Sequence, residues 1–92
     1  MEKLTGLKKI KTAVFISGTG SNLENIIKFS RVRKSPISIN LVVSNNHYAK
    51  GLKYADQFKI KKRIFNFKNY KEAENKISVL LTKENIKLVC LA

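Results

Sequence analysis

A glycine-rich turn between an apolar run and an amphipathic helix pattern constrains the fold of this chain more than any other feature. The apolar run is Ala13–Ile16, and the turn that follows has the sequence Ser17-Gly18-Thr19-Gly20-Ser21-Asn22-Leu23. A strand that passes through such a turn into a helix aims the helix's unpaired N–H groups and positive dipole end at one point. Gly18 and Gly20 lack a Cβ and let a ligand approach the backbone. The turn therefore favours an anion, to which Ser21 adds a hydroxyl and Asn22 an amide.

A second interpretation of the same turn needs no ligand. Ser21 and Glu24 have the Ser-x-x-Glu spacing of a capping box, which would satisfy the start of the helix unaided. The spacing alone leaves both interpretations open. Two larger phosphate motifs are excluded, because Leu23 stands where a dinucleotide fingerprint needs its third glycine and because no Gly-Lys-Ser/Thr run is present. A ligand bound here would therefore present one phosphate rather than a dinucleotide.

Alternating strand and helix patterns occupy the rest of the chain. Apolar and β-branched runs predict strands over Lys11–Ser17, Ile37–Val43, Arg63–Phe67 and Lys87–Ala92. Helical spacing predicts one helix from Asn22, one over Ala49–Phe58 and one after Asn69. Each has an apolar stripe: Leu23, Ile26 and Ile27 in the first helix; Leu52, Ala55 and Phe58 in the second; and Ala73, Ile77, Leu80 and Leu81 in the third. The alternation predicts an α/β fold, an open parallel sheet in three layers. Ligands of such sheets bind at the carboxyl ends of the strands, where the glycine turn must lie.

The length and composition indicate one domain at most. The chain has 92 residues, of which 43% are hydrophobic and 27% charged, as is typical of globular proteins. Because this length is small for a doubly wound sheet, we expect the chain to be incomplete, truncated in its fourth strand, and marginally folded or self-associating. No apolar stretch approaches the roughly 18 residues of a membrane span, and residues 1–11 are too lysine-rich for a signal peptide. We expect a cytoplasmic protein with no membrane partner.

The charge balance is unusual. The chain has 19 Lys and Arg against 6 Asp and Glu, a formal net charge of +13. Three interpretations are open: a solvated surface, a field that draws anionic substrates, or a patch for nucleic acid. The basic residues are spread through every segment, and no aromatic residues alternate with Lys8-Lys9-Lys11 or Arg31-Arg33-Lys34. This distribution favours a solvated surface first and places nucleic acid last.

The single cysteine and the single histidine predict no chemistry of their own. Cys90 lies in the apolar run Leu88–Ala92, where a small buried thiol is expected, and it has no partner for an internal disulfide. His47 lies in a polar turn without a second histidine or a nearby cysteine to share a metal. We therefore predict no metal site and no catalytic residue within this chain.

Three motifs together resemble a known enzyme family. They are the Ser17–Leu23 turn after the first strand, a second strand that ends Leu41-Val42-Val43-Ser44-Asn45, and the run Val89-Cys90-Leu91-Ala92. The set resembles the amino-terminal half of the phosphoribosylglycinamide formyltransferase family. The resemblance implies a Rossmann-like formyltransferase fold and formyl transfer from 10-formyltetrahydrofolate to the amine of 5-phosphoribosylglycinamide, a step of purine (IMP) biosynthesis.

The resemblance also carries expectations for individual residues. It implies that Gly20, Ser21 and Asn22 bind the substrate's phosphate, in agreement with the anion site inferred from the turn. Lys71 stands where the family has an arginine that approaches the folate, so Lys71 is a candidate cosubstrate contact. A lysine cannot make the bidentate contact of an arginine, and the alternative for Lys71 is a solvated lysine in the first turn of a helix.

The family's catalytic asparagine, histidine and aspartate have no matching position in this chain. We therefore expect residues 1–92 to form the amino-terminal, phosphate-binding part of a formyltransferase domain, without the catalytic part and inactive alone. The alternative from a different class is a non-catalytic basic Rossmann-like module that binds phosphorylated ligands or nucleic acid. Salt dependence separates the two, because binding through many phosphates falls steeply with salt.

Overall fold

The computed structural model of the chain describes residues 9–16, 21–65 and 70–92. Within these ranges the chain alternates strand and helix in this order: β1 (Ile10–Ile16), α1 (Ser21–Ser30), β2 (Ile37–Ser44), α2 (Leu52–Gln57), β3 (Lys61–Ile64), α3 (Tyr70–Lys83) and β4 (Leu88–Leu91). No helix of the described ranges is both long and apolar enough to cross a membrane.

The strands form one parallel sheet in the order β3-β2-β1-β4, counted over the described residues. The central strands β1 and β2 are the most buried, and Ala13, Val14 and Leu41 are fully buried. Strands covered on both faces need such continuous apolar runs. The predicted open, parallel, three-layer α/β fold is confirmed.

A bulge in β2 sets which of its side chains share a face. Thr12 pairs with Ile39, but Ala13 pairs with Leu41, so the pairing skips Asn40. The extra residue brings Ile39 and Val42 onto the same face although they are three positions apart, and both join one core cluster. In a regular strand, where successive side chains alternate between the two faces, Ile39 and Val42 would lie on opposite faces.

We call the side of the sheet covered by α1 and α2 the first face. Its core contains Leu23 and Ile27 of α1 and Leu52 and Ala55 of α2, which confirms the apolar stripes predicted for the two helices. Phe58, predicted to be buried, is only half-buried. It lies at the carboxyl end of α2, where Lys59 takes a φ of 58° and the helix stops.

Helix α2 is shorter than the predicted Ala49–Phe58. The hydrogen bonds Leu52 N–H to Ala49 O (3.1 Å), Lys53 N–H to Lys50 O (3.3 Å) and Tyr54 N–H to Gly51 O (3.0 Å) are i to i+3 bonds, so the chain enters through tight turns. Gly51 is the N-cap residue. The apolar spacing of this segment is helical, but only Leu52–Gln57 forms an α-helix.

We call the side covered by α3 the second face. Its core cluster has three buried residues, Ala13, Leu41 and Val43. They contact the half-buried side chains Phe15, Phe65, Leu80, Leu81 and Ile86. Of the stripe predicted for α3, Ala73 is buried, whereas Ile77, Leu80 and Leu81 are half-buried. The stripe therefore faces the sheet as predicted but is only partly covered.

The third strand was predicted two residues too late in the chain. Lys61–Ile64 pair with Leu41–Ser44, whereas the prediction was Arg63–Phe67. The apolar Phe65 continues from the strand and donates its N–H to Ser44 O at 2.9 Å. Three further parts of the predictions lie outside the described residues: residues 66 and 67 of the third strand, Ser17 of the first strand, and Asn69, after which the third helix was predicted to begin. The fourth strand, Leu88–Leu91, falls within the predicted Lys87–Ala92.

Candidate functional site at the carboxyl edge of the sheet

Helix α1 begins at Ser21, directly after the glycine turn. Asn22 is exposed in its first turn, as the predicted anion site requires. Gly20 and the side chain of Ser21, the other two predicted contacts, lie outside the described residues. Leu23 and Ile27 are fully buried in the first-face core. Because Leu23 comes directly after Asn22, its packing fixes the start of α1 relative to the sheet.

The other end of α1 is closed by a basic side chain. The Lys9 ammonium group donates hydrogen bonds to Ser30 O at 2.6 Å and to Val32 O at 2.8 Å. A cation at a helix carboxyl end satisfies free carbonyls and complements the helix dipole. Glu24, the predicted capping-box partner, lies 3.4 Å from the Lys28 ammonium group. Anchored in this way, α1 presents its amino end at the carboxyl edge of the sheet.

The turn after β2 is held by its own side chains. Ser44, which is buried, donates its hydroxyl to Asn46 O at 3.0 Å and accepts the Asn46 N–H at 3.1 Å. Asn46 Oδ1 in turn accepts the Tyr48 N–H at 2.9 Å. These local bonds fix the backbone on both sides of Asn45, whose exposed amide projects from the same edge of the sheet.

A depression of about 230 Å³ lies where β1, β2 and β4 end. Because β1 lies between β2 and β4, the strand order reverses beside β1, and this is the point at which open parallel sheets bind ligands. Apolar side chains and the polar groups of Ser44 and Asn45 line it; the full lining is Phe15, Ile16, Val43, Ser44, Asn45, Leu91 and Ala92. An apolar floor with a polar rim suits a small organic ligand with hydrogen-bonding edges.

Asn45 is the lining residue whose role the sequence analysis missed. Its segment was used as a family motif at the end of the second strand, and no ligand contact was predicted for it. The available signal was position: an asparagine directly after a buried parallel strand lies at the ligand-binding edge. Phe15 and Leu91 were assigned to strands, and nothing in the alternation of apolar residues distinguishes a strand residue at the depression from one in the core.

Lys71 is exposed in the first turn of α3. Since α3 follows β3, its start lies at the same edge of the sheet as the start of α1, but over the second face. The Glu72 carboxylate in the same turn pairs with Lys76 at 2.9 Å. The structure thus makes the Lys71 ammonium group accessible from solvent at the edge where the resemblance predicts the folate.

Among the described residues, the carboxylate whose pKa is clearly shifted, Glu84, lies away from this edge. A 2.8 Å hydrogen bond from Lys61 lowers the pKa of Glu84 below its ordinary value of 4.5, and the charges of Lys83 and Arg63 act in the same direction. Lys61 is the first residue of β3, so the pair ties the end of α3 to the amino edge of the sheet. Its role is structural.

His47 and Cys90, for which no chemistry was predicted, have different surroundings in the fold. His47 is exposed, with its ring centroid 4.1 Å from that of Tyr48. Cys90 is half-buried, pairs with Val14 in the sheet and packs against the first-face core. The parts of the chain that the structure covers hold no group of three or more potential metal ligands.

Comparison with known proteins assigns the family. Residues 10–92 match the family model described as formyl transferase. The chain therefore belongs to the formyl transferase family, and the matched residues include the glycine turn, the Ser44-Asn45 turn and all four described strands.

Two curated relatives illustrate the similarity. The trifunctional purine biosynthetic protein adenosine-3 of Homo sapiens is 41% identical over 88 residues, which are 92% of this chain and 9% of the relative. Phosphoribosylglycinamide formyltransferase of Haemophilus influenzae is 38% identical over 85 residues, which are 89% of this chain and 40% of the relative. The chain thus spans well under half the length of either protein.

Solved structures agree in fold. Phosphoribosylglycinamide formyltransferase from Brucella melitensis superposes with a TM-score of 0.86 at 30% identity, covering 91% of this chain and 45% of that structure. The enzyme of the same name from Anaplasma phagocytophilum gives 0.79 at 36% identity, covering 92% and 40%. The sheet and helices described above are therefore those of this enzyme fold.

Proposed function

We propose that this chain supplies the substrate-phosphate site of a phosphoribosylglycinamide formyltransferase. The reaction transfers a formyl group from 10-formyltetrahydrofolate to the amine of 5-phosphoribosylglycinamide in purine biosynthesis. One observation carries the proposal: within a chain of the formyl transferase family, α1 starts at Ser21 immediately behind a glycine turn, at the edge where ligands bind. The names of the relatives supply the substrate.

The phosphate contacts we propose are Gly20, Ser21 and Asn22. The first N–H groups of a helix have no partner within the helix, and its positive dipole end favours a dianion. The exposed Asn22 amide lies in this first turn and adds a donor. Leu23 fixes the first turn of α1 in the core, so the backbone at Asn22 is held in place before the ligand arrives and binding loses less conformational entropy.

Lys71 is the proposed contact to the cosubstrate. Its exposed position at the start of α3 gives an anionic part of 10-formyltetrahydrofolate access to the ammonium group. The apolar floor and polar rim of the depression beside β1 fit a flat ring with hydrogen-bonding edges. When bound, the cosubstrate supplies the formyl carbon, and the residues of this chain hold and orient the two reactants.

We further propose that residues 1–92 are the amino-terminal, phosphate-binding part of a formyltransferase domain. The catalytic groups that the resemblance implies, an asparagine, a histidine and an aspartate, have no counterpart among the residues that match its motifs. The 92-residue chain alone is therefore expected to bind substrate without formylating it. Formyl transfer by the purified chain, followed by release of tetrahydrofolate, would contradict this expectation.

The site is tested with two asparagines of α1. Asn22 and Asn25 are both exposed, but only Asn22 lies in the first turn. We expect Asn22→Ala to weaken binding of 5-phosphoribosylglycinamide by about 10-fold to 100-fold, since a hydrogen bond to a charged group contributes about 1.5–3 kcal/mol. The matched variant Asn25→Ala should bind as the unaltered chain does. Isothermal titration calorimetry measures both.

Two controls separate this proposal from the basic-module alternative. Gly20→Val should abolish binding, because its side chain would occupy the place of the phosphate. An excess of RNA should leave substrate binding unchanged. Equal effects of the two asparagine variants, or displacement of the substrate by RNA with a steep salt dependence, would place the ligand elsewhere on the basic surface.

A further inference from the structure

The amino edge of the sheet, opposite the edge at which α1 and α3 begin, collects basic side chains from separate segments. Each helix runs back from the carboxyl edge, so the connections α1–β2, α2–β3 and α3–β4 meet the start of β1 at the amino edge. Lys9 is half-buried, and the other basic residues of these segments are exposed. We call the following set the amino-edge row: Lys9, Lys11, Arg31, Arg33, Lys34, Lys59 and Lys87.

Contacts between the segments hold one end of the row together. The Arg31 guanidinium donates a hydrogen bond to Phe58 O at 2.7 Å and lies over the Phe58 ring, 5.2 Å from its centroid. Arg31 is thereby placed beside the turn that contains Lys59. The Lys9 ammonium group, bonded to Val32 O at 2.8 Å, lies at the same α1–β2 connection.

The row continues across the sheet to the start of β4. Ile10 donates its N–H to Pro36 O at 2.8 Å, and Lys87 donates its N–H to Lys11 O at 2.8 Å. Because β1 lies between β2 and β4, these bonds bring the α1–β2 connection next to Lys11 and Lys87. Neighbouring strands are about 4.8 Å apart, so the ends of four strands extend over roughly 14 Å.

The described carboxylates do not neutralise this row. Asp56 and Glu84 lie near the amino edge, but they pair with Lys62 and Lys61 of β3, each at 2.8 Å. Among the described residues, no member of the row takes part in an ion pair. The other described carboxylates lie in the first two turns of α1 and α3, towards the opposite edge: Glu24, Glu72 and Glu74.

An exposed aromatic side chain lies beside the row. Phe29, in the last turn of α1 and two residues before Arg31, is 54% exposed. Proteins that bind single-stranded nucleic acid combine a basic track for the phosphates with aromatic rings on which bases stack. Bases within a duplex are already paired and stacked, so an exposed ring favours a single strand.

We propose that the amino-edge row and Phe29 bind single-stranded nucleic acid, with the row on the phosphates and Phe29 on one base. In the sequence the basic residues are dispersed and no aromatic residue alternates with Arg31-Arg33-Lys34, but the fold brings both features together. A linear row suits a chain of phosphates better than a planar anionic bilayer, which would reach only its outermost members. The proposal is independent of the proposed function, because the row lies at the edge opposite the start of α1.

Fluorescence anisotropy with a labelled oligouridylate of about 12 nucleotides tests the row. Contact with about four phosphates predicts a slope of log affinity against log salt of about −3, or a roughly 50-fold loss between about 50 and 200 mM salt. The double variant Arg33→Gln/Lys34→Gln should reduce that loss to about 7-fold, since two contacts are removed. The matched variant Lys50→Gln/Lys53→Gln removes the same charge from exposed positions at the start of α2 and should keep the original slope.

A second pair of variants tests the aromatic contact. Phe29→Ala should weaken oligouridylate binding about 10-fold, because stacking of one base is lost. Tyr48, which is 81% exposed in the turn after β2, provides the control at the carboxyl edge, and Tyr48→Ala should leave binding unchanged. All the substituted side chains are exposed, and thermal melting of each variant checks that the fold is retained.

Three outcomes would overturn the proposal. The first is the absence of binding at about 50 mM salt, where phosphate contacts are strong. The second is an equal loss from the two charge variants or from the two aromatic variants, which would show that net charge alone attracts the oligonucleotide. The third is binding to phosphatidylserine vesicles that requires Arg33 and Lys34, together with no effect of Phe29→Ala on the oligonucleotide, which would assign the row to a membrane surface.

Titration with 5-phosphoribosylglycinamide separates this proposal from the proposed function. Oligouridylate binding with the expected pattern, but no substrate binding, would support the row and reject the substrate site. Substrate binding without oligouridylate binding would do the reverse.

Discussion

The two faces of the sheet are covered to different degrees, and the difference follows from the connections between strands. On the first face, α1 joins the neighbours β1 and β2, and α2 joins the neighbours β2 and β3. On the second face, α3 alone crosses β2 and β1 to reach β4. Among the described residues the first-face core has ten buried side chains and the second-face core three. Helix α1 thus rests on the better covered face, whereas the face under α3 is only partly covered.

The largest expected effect comes from deleting a side chain of the first face. Ile27→Ala removes a fully buried group of α1, and such deletions cost about 2–5 kcal/mol. Ile77→Ala on α3 removes a side chain that is only half-buried on the second face. It should cost about 1 kcal/mol, because less buried apolar surface is lost than in Ile27→Ala. Urea denaturation of both variants measures the difference. Equal costs would show that the two faces are equally well packed.

A smaller effect is expected from the serine that orders the turn after β2. Ser44→Ala removes the hydroxyl that exchanges two hydrogen bonds with the backbone of Asn46, and the loss of the two bonds should cost about 1–2 kcal/mol. The exposed Ser78 of α3 provides the control, since Ser78→Ala should change the unfolding free energy by less than about 0.5 kcal/mol. A Ser44→Ala variant as stable as Ser78→Ala would mean that the turn is ordered by other contacts.

The smallest effect concerns the ion pair that fastens α3 to β3. Because Lys61 lowers the pKa of Glu84 in the folded chain, ionised Glu84 stabilises the fold at neutral pH. This stabilisation should be lost as the pH falls below 4.5, through the lowered pKa. The difference in urea midpoint between the unaltered chain and Glu84→Gln should therefore be largest at pH 7 and should shrink steadily as the pH falls below 4.5.

Glu74→Gln, at an exposed position of the same helix, is the matched control for the substitution itself. A difference for Glu84→Gln that grows on acidification would contradict the assigned direction of the pKa shift.

The sequence predicted most of what lies on the first face. The run Ala13–Ile16 and the spacing of Leu23 and Ile27 identify β1 and α1, because burial on both faces of a strand and on one side of a helix leaves clear apolar patterns. The start of α1 behind the glycine turn was predicted for the same reason, and with it the position of Asn22 in the first turn.

The errors lie where pairing between strands, rather than apolarity, decides the structure. The skipped Asn40 in β2 depends on its alignment with β1, which no local pattern reveals. The edge strand β3 begins with Lys61 and Lys62 because one side of an edge strand faces solvent and needs no apolar run. Asn45 was missed as a lining residue because it joins the site only when the ends of three strands come together.

The central claim is that the start of α1 binds the phosphate of 5-phosphoribosylglycinamide. Its most direct test is calorimetric titration of the folded 92-residue chain with this compound and with its dephosphorylated riboside. We predict measurable binding of the phosphorylated compound and at least about 100-fold weaker binding of the riboside, a difference of about 2.7 kcal/mol. Equal affinity for the two compounds, or no binding of either, would contradict the claim.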